Sequence, residues 1–262
     1  MHRKTILVTG ATGGIGGAVC RRLTAHGFSV VMASRDEGKL EALSIELNGQ
    51  HPGSSDWIAL DMTSDASIAK FAAEMKSRAI VLDGMVHMPP QPHRADNPMP
   101  DNEEWRKLFQ DSFIGPLSVL KAAIAMMKPD PISGRRAKIV MISGISSAQV
   151  LSHYATANVI RCAWLAEAKT LAFALGPNGI HINTLSLGGT MSPWYRDGLE
   201  GRATSAGMTF EERLVEETSN VPLRKYGEPT EVAAAVEGLL SDFSDHMTGL
   251  NIMHDGGFTR AY

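Results

Sequence analysis

Tyr154 and Asn158 in "LSHYATANVI" are four residues apart, so on a helix they lie one above the other on one face. Between them stand Ala155, Thr156 and Ala157, small residues that would let a ligand come close. A phenol can give or take a proton, and a neighbouring amide can hold it or a ligand hydroxyl. A second group is "VTGATGGIGGAV", between the apolar run "KTILVT" and the amphipathic stretch "IGGAVCRRLTAHG". Its glycines allow a tight turn and a close approach to a pyrophosphate. The helix start that follows supplies N–H groups and a positive dipole end. Gly10, Thr12, Gly14, Ile15 and Gly16 are the candidate cofactor contacts in this turn. No His, Cys or carboxylate cluster has metal-ligand spacing.

The elements that must position these groups alternate along the whole chain. "KTILVT", "FSVVMAS", "DWIALDM", "AIVLDGMVHM", "AKIVMIS", "IHINTLSL" and "GLNIMHDGG" read as strands. Helical patterns separate them. One is the long "NEEWRKLFQDSFIGPLSVLKAAIAMMK", expected to kink at Gly115-Pro116. Tyr154 falls within the helix expected over "HYATANVIRCAWLAEAKTLAFALG", with His153 expected to point away from it. Strand–helix alternation predicts an α/β fold: a Rossmann-type, doubly wound, parallel seven-stranded sheet with helices on both faces. There is no repeat or linker. Residues 1–262 read as one domain, with 189–228 as a less regular lid containing the helical piece "FEERLVEET". Ligands of such sheets bind beyond the carboxyl ends of the strands.

Composition excludes several classes. The 262 residues carry a net charge of −3 with no basic stripe, so nucleic acid is not expected as a partner. No apolar run reaches the ~18 residues of a membrane span, and the N-terminal stretch is expected to be a strand and not a signal peptide. The two cysteines, Cys20 and Cys162, read as buried free thiols. A cytoplasmic protein acting on a small molecule is the expectation.

The chain resembles the short-chain dehydrogenase/reductase family over essentially its whole length. "TGATGGIG" is similar to that family's Thr-Gly-x-x-x-Gly-x-Gly loop, through Thr9, Gly10, Gly14 and Gly16. Asp61, followed by Met62, stands where the family places an aspartate beside the adenine ring. "IHINTLSLGGTMSP" resembles the segment bordering the nicotinamide, with Asn183, Gly188 and Ser192 in register. The C-terminal "VPLRKYGEPTEVAAAVEGLLSD" also resembles the family pattern. The resemblance implies a nicotinamide cofactor and, by analogy, a homodimer or homotetramer. A carboxylate at the tip of strand two would hold the ribose of NAD and repel a 2′-phosphate. Ser34 occupies that tip and Arg35 follows, a fork suited to phosphate, so NADP(H) is favoured over NAD(H). Asp36 and Glu37 are expected to cap the next helix.

The same resemblance exposes departures. The family's catalytic tyrosine is matched by Tyr154, but Asn158 replaces the lysine of Tyr-x-x-x-Lys. A nearby ammonium stabilises a phenolate, whereas a neutral amide cannot. Asn158 can still hydrogen-bond ribose hydroxyls. Gly144 replaces the family's serine, leaving Ser143, Ser146 and Ser147 nearby; Ser146 or Ser147 fills the role if the loop is re-registered. Ser112 replaces the helix-four asparagine that positions a water relay. "HMPP" (His87 to Pro90) replaces Asn-Asn-Ala-Gly, removing two backbone donors. His87 is a candidate beside the nicotinamide, as acid, base or cofactor contact; the alternative is a histidine hydrogen-bonded at a strand end. His93 and Arg94 are candidate pocket-rim residues, and Met191, Trp194 and Tyr195 a candidate apolar wall. The expected activity is hydride transfer between NADP(H) and a carbonyl or alcohol, with Tyr154, Asn158, Ser146 and Ser112 as the altered relay. The alternatives are a silent NADP(H)-binding sensor or assembly protein, or a redox-neutral isomerase or cyclase using Tyr154 as acid.

Overall fold

The structure, a computed structural model, describes residues 3–92 and 96–260. Seven parallel strands form one sheet in the order β3-β2-β1-β4-β5-β6-β7. They are β1 (Thr5–Thr9), β2 (Ser29–Ser34), β3 (Ser55–Ala59), β4 (Gly84–His87), β5 (Ala137–Gly144), β6 (Ile180–Leu187) and β7 (Asn251–His254). The helices are α1 (Gly14–Ala25), α2 (Glu37–Gln50), α3 (Asp65–Ser77), α4 (Asn102–Phe109), α5 (Gly115–Ala125), α6 (Ala155–Leu175), α7 (Pro193–Ser205), α8 (Phe210–Glu217) and α9 (Pro229–Leu240).

Side chains alternate across each strand, so the sheet feeds two cores. Ile6, Val8, Val30 and Met32 pack under α1, α2 and α9, through Val19, Leu23, Leu40, Leu47 and Val236. Leu7, Val31, Met85, Ile139 and Met141 pack on the opposite face under α3, α5 and α6, through Phe71, Leu120 and Trp164. The strand order reverses between β1 and β4, which opens a crevice at the carboxyl ends of those strands. Among the described residues, no helix is long and apolar enough to cross a membrane.

Three local features differ from the expectation. The long fourth helix is interrupted by a π-helical turn over Gln110–Ile114, just before Gly115-Pro116. A Cβ on Gly115 would overlap the Met62 carbonyl, so this glycine lets the helix press on the loop after β3. The segment 189–228 is more regular than its sequence suggests, because α7 is a complete helix. Ser192 caps it, with its hydroxyl accepting from the Tyr195 N–H at 3.4 Å, and Pro193 fills the first turn. Cys20 is buried, which pushes its thiol up to about 12, but Cys162 is exposed on α6.

Candidate active site

The glycine turn is built as a phosphate cradle. Gly10 has φ of 64°, a left-handed conformation that only glycine adopts without strain. A Cβ on Gly16 would overlap the Gly10 carbonyl oxygen, so the start of α1 can lie against the turn. Gly13 caps α1 without any side-chain acceptor, and no acidic residue occupies the first turn. The N–H groups of Gly14, Ile15 and Gly16 therefore have no partner among the described residues. Uncommitted donors on the positive end of a helix fit a pyrophosphate. A Cβ on Gly14 would stand 2.6 Å from Pro193 Cδ, so the start of α7 borders this turn.

At the tip of β2, the Ser34 hydroxyl lies 2.6 Å from that of Thr12, tying the strand end to the glycine turn. Arg35 is exposed and forms no ion pair among the described residues. Asp36 is turned away as the cap of α2, accepting from the Lys39 N–H at 3.0 Å, as expected. Asp61 accepts from the Thr63 N–H and hydroxyl through Oδ1, at 2.9 and 2.8 Å. Burial pushes its carboxyl up, but those two bonds and the charge of Arg35 outweigh it, and the net direction is downward. Oδ2 has no partner among the described residues, so it can accept from a ligand. Gly188 has a packing role, since a Cβ there would lie 2.8 Å from Asp255. Asn183 donates to Met247 O and accepts from the Leu250 N–H, which fixes the entry to β7.

Tyr154 does not lie inside α6. It is the residue that precedes the helix, with φ −129° and ψ 37°. Its ring faces the His153 ring at 4.6 Å, so His153 lies beside it; the helical argument for separating them fails because both precede the helix. Asn158 is engaged within the chain. Its amide pairs with the Leu151 peptide, donating to Leu151 O at 3.1 Å and accepting from Leu151 N–H at 3.4 Å. It closes the turn that presents Tyr154, so its amide is engaged by the Leu151 peptide, a structural role the sequence did not suggest.

The residue missing from the sequence reading is Arg161. It is seven positions after Tyr154, in the second turn of α6. Its Cζ sits 5.0 Å from the centre of the Tyr154 ring. Nη1 donates to Ser146 Oγ at 3.0 Å and Nε donates to Gln91 Oε1 at 2.9 Å. A Cβ on Gly144 would stand 2.6 Å from Cζ, so the guanidinium fills the space that a side chain at 144 would take. The strand stays in register to its end, where Gly144 pairs with Leu187, and the loop is not re-registered. Ser146 is buried as an acceptor for Arg161, and Ser147 turns to Ser186 at 3.0 Å. "HMPPQ" belongs to the same construction. Gln91 donates to Pro89 O at 3.1 Å, which aims its carbonyl oxygen at Arg161.

Beneath this layer, His87 is fully buried, and neither ring nitrogen has a partner among the described residues. It stacks edge-on against Trp164 at 5.3 Å, and burial pushes it down to about 3. Burial holds its ring neutral, which does not fit the acid–base reading, and its side chain packs within the core. Trp164 donates to the Ser112 carbonyl at 2.8 Å, so that carbonyl in the π turn is already engaged. Met191 is buried, Trp194 is exposed and Tyr195 packs on Tyr226 at 5.2 Å, so they form no common wall. His93 and Arg94 lie outside the described residues.

Residues 10–259 match the family model described as enoyl-(acyl carrier protein) reductase. The chain belongs to the short-chain dehydrogenase/reductase family. It is 25% identical over 260 residues to the NADPH-dependent reductase BacG of Bacillus subtilis, covering 98% of both chains. It is 29% identical over 260 residues to a diacetyl reductase, (S)-acetoin forming, of Staphylococcus epidermidis, covering 97% of this chain and 98% of the other. The NADPH-bound structure of a Pseudomonas aeruginosa short-chain oxidoreductase containing an atypical catalytic centre superposes with a TM-score of 0.85 at 24% identity, covering 99% of this chain and 98% of the other. The family and its relatives make the protein a hydride-transfer oxidoreductase by class, on the Rossmann-type sheet described above.

Proposed function

We propose that the protein is an NADP(H)-dependent reductase of a small carbonyl compound, with Tyr154 as proton donor and a rebuilt set of groups around it. The observation that carries this reading is the Tyr154 ring held against the Arg161 guanidinium, beyond the carboxyl end of β5. When bound, the nicotinamide supplies the hydride to the carbonyl carbon. The phenol of Tyr154 gives its proton to the carbonyl oxygen, which leaves an alcohol, and solvent restores the phenol. The turn of residues 151–158, closed by Asn158, fixes where the phenol stands. Gly14, Ile15 and Gly16 would hold the pyrophosphate, and Asp61 with Met62 the adenine side. Arg35, beside a strand tip without a carboxylate, supports a 2′-phosphate and hence NADP(H). The uncommitted N–H groups of the glycine turn fit this cofactor. The same reading includes a homodimer or homotetramer.

The test is a fluorescence titration with NADPH and NADH, followed by turnover of a carbonyl panel that includes diacetyl. NADPH should bind at least tenfold more tightly than NADH, and Arg35→Ala should remove most of that preference. Tyr154→Phe should bind NADPH like wild type and lose at least a hundredfold in kcat. NADPH binding with no turnover of any carbonyl would favour a silent nucleotide-binding protein instead.

A further inference from the structure

A buried charge is costly unless something pairs with it. Arg161 is half-buried, and burial pulls its guanidinium below the ordinary arginine value. It nevertheless remains charged at any working pH. Its protein partners are all neutral: the Ser146 hydroxyl, the Gln91 amide oxygen and the Tyr154 ring. No carboxylate among the described residues pairs with it. Several other arginines are paired with acids. Arg202 and Arg213 both engage Glu217, Arg21 engages Glu46, and Arg135 engages Asp83. Nη2 of Arg161 carries no hydrogen bond among the described residues, and Nη1 uses only one N–H.

The chain has also cleared space for this cation. Gly144 admits the guanidinium, with its Cζ 2.6 Å from where a Cβ would be, and Gln91 and Ser146 hold it by Nε and Nη1. The uncommitted edge remains, next to the Tyr154 ring and beyond the strand ends where ligands bind in such sheets. A planar fork with two parallel N–H groups is matched by two oxygens on one plane.

We propose that Arg161 is the substrate-binding cation of this site and that the substrate is an oxo acid, its carboxylate received on the open edge of the guanidinium with the reacting carbonyl turned to Tyr154. The proposal rests on the reductase reading for the carbonyl and on Arg161 alone for the charge. The ligand anion neutralises the guanidinium that the protein leaves without an acid. A neutral ketone of the same size would leave it uncompensated, and the site would reject it for that reason.

The test pairs each acid with its neutral counterpart: pyruvate with methyl pyruvate, and 2-oxobutyrate with 2,3-pentanedione. Binding to the full-length protein is read by calorimetry, with and without NADPH, and turnover by NADPH oxidation. Wild type should bind and reduce the acids at least tenfold better than the neutral partners. Arg161→Met should lose that preference while its NADPH affinity stays within threefold, and Arg161→Lys should keep part of it. Equal or better use of the neutral ketones by wild type overturns the proposal and leaves the reductase reading intact. Absence of any oxo-acid binding to wild type also overturns it, as does a preference that survives in Arg161→Met. Oxo-acid binding without NADPH binding would instead sink the cofactor reading and keep the anion site.

Discussion

Gly144 and Arg161 are a size-matched pair. The missing side chain at one position leaves the room that the long one fills from the other. Gly144 has φ of −126°, so no backbone strain opposes a side chain there. The obstacle to Gly144→Ser is the guanidinium itself, the far end of a flexible side chain. The substitution should therefore fold but cost about 1 kcal/mol, by overpacking and by breaking the bonds from Arg161 to Ser146 and Gln91. In an Arg161→Ala background the same substitution should cost almost nothing. Urea unfolding of the four proteins in the cycle would measure the coupling, expected near 1 kcal/mol; purely additive costs would show that the two positions do not compete for space. At this scale the sequence is a partial guide. Tyr154, the glycine turn, Ser34 and Asp36 could be read from position and type. Asn158 could not, because an amide four residues from a tyrosine is equally able to face a ligand or to close its own turn. Arg161 carried a readable signal, since positions seven apart share a helix face. Its importance depends on Gly144 and Gln91, which are brought to it only by the fold.

Elements were legible where pattern and propensity agree, as in the seven strands and in α1, α2 and α9. They were not legible where tertiary contact decides. The π turn over 110–114 answers to the approach of Gly115 to Met62. Helix α7 contains Gly198 and Gly201, which lower its propensity, and it is held from outside. Glu217 at the end of α8 accepts from Arg202 on α7 at 2.7 and 3.0 Å, from Arg213 at 2.8 Å and from Tyr226 at 3.0 Å. Burial pushes the Glu217 carboxyl up, but these donors more than offset it and hold it at about 2, against 4.5 for a free glutamate. A depressed carboxylate stabilises the fold fully above its unfolded value and loses that contribution as pH falls toward the folded one. The clamp between α7 and α8 should therefore be complete above pH 4.5 and disappear as pH approaches about 2. Glu217→Gln should weaken the clamp by about 2 kcal/mol at neutral pH, because two arginines lose their acid. Hydrogen exchange in α7 and α8 would report it. Protection should fall in the variant at pH 7, and the difference from wild type should narrow as pH falls below 4.5. An unchanged protection pattern at pH 7 would mean that the two helices are held by packing alone.

For the whole molecule, one face of α6 poses a problem that a single chain does not solve. Its inner face, with Ile160, Trp164, Ala168 and Ala172, is fully covered by the sheet. Its outer face places Val159, Cys162, Ala166 and Phe173 on one stripe, all exposed, with Phe173 at 77%. Ile114 of the π turn is exposed as well. Apolar side chains grouped on one helix face tend to mark association, and an isologous contact repeats the same stripe in both partners. The expected outcome is a protein that sediments at twice or four times the chain mass at micromolar concentration. Val159→Asp combined with Phe173→Glu places charges at two exposed points of the stripe without touching the inner face. That variant should keep its circular dichroism spectrum and sediment as a single chain. Because Tyr154 immediately precedes this helix and Arg161 stands in its second turn, dissociation should also loosen the turn at residues 151–158. If the β1–α1 turn holds the pyrophosphate as proposed, NADPH affinity should change little while turnover falls. A wild-type protein that sediments as one chain would end this reading of α6, and equal turnover in the dissociated variant would separate assembly from the site.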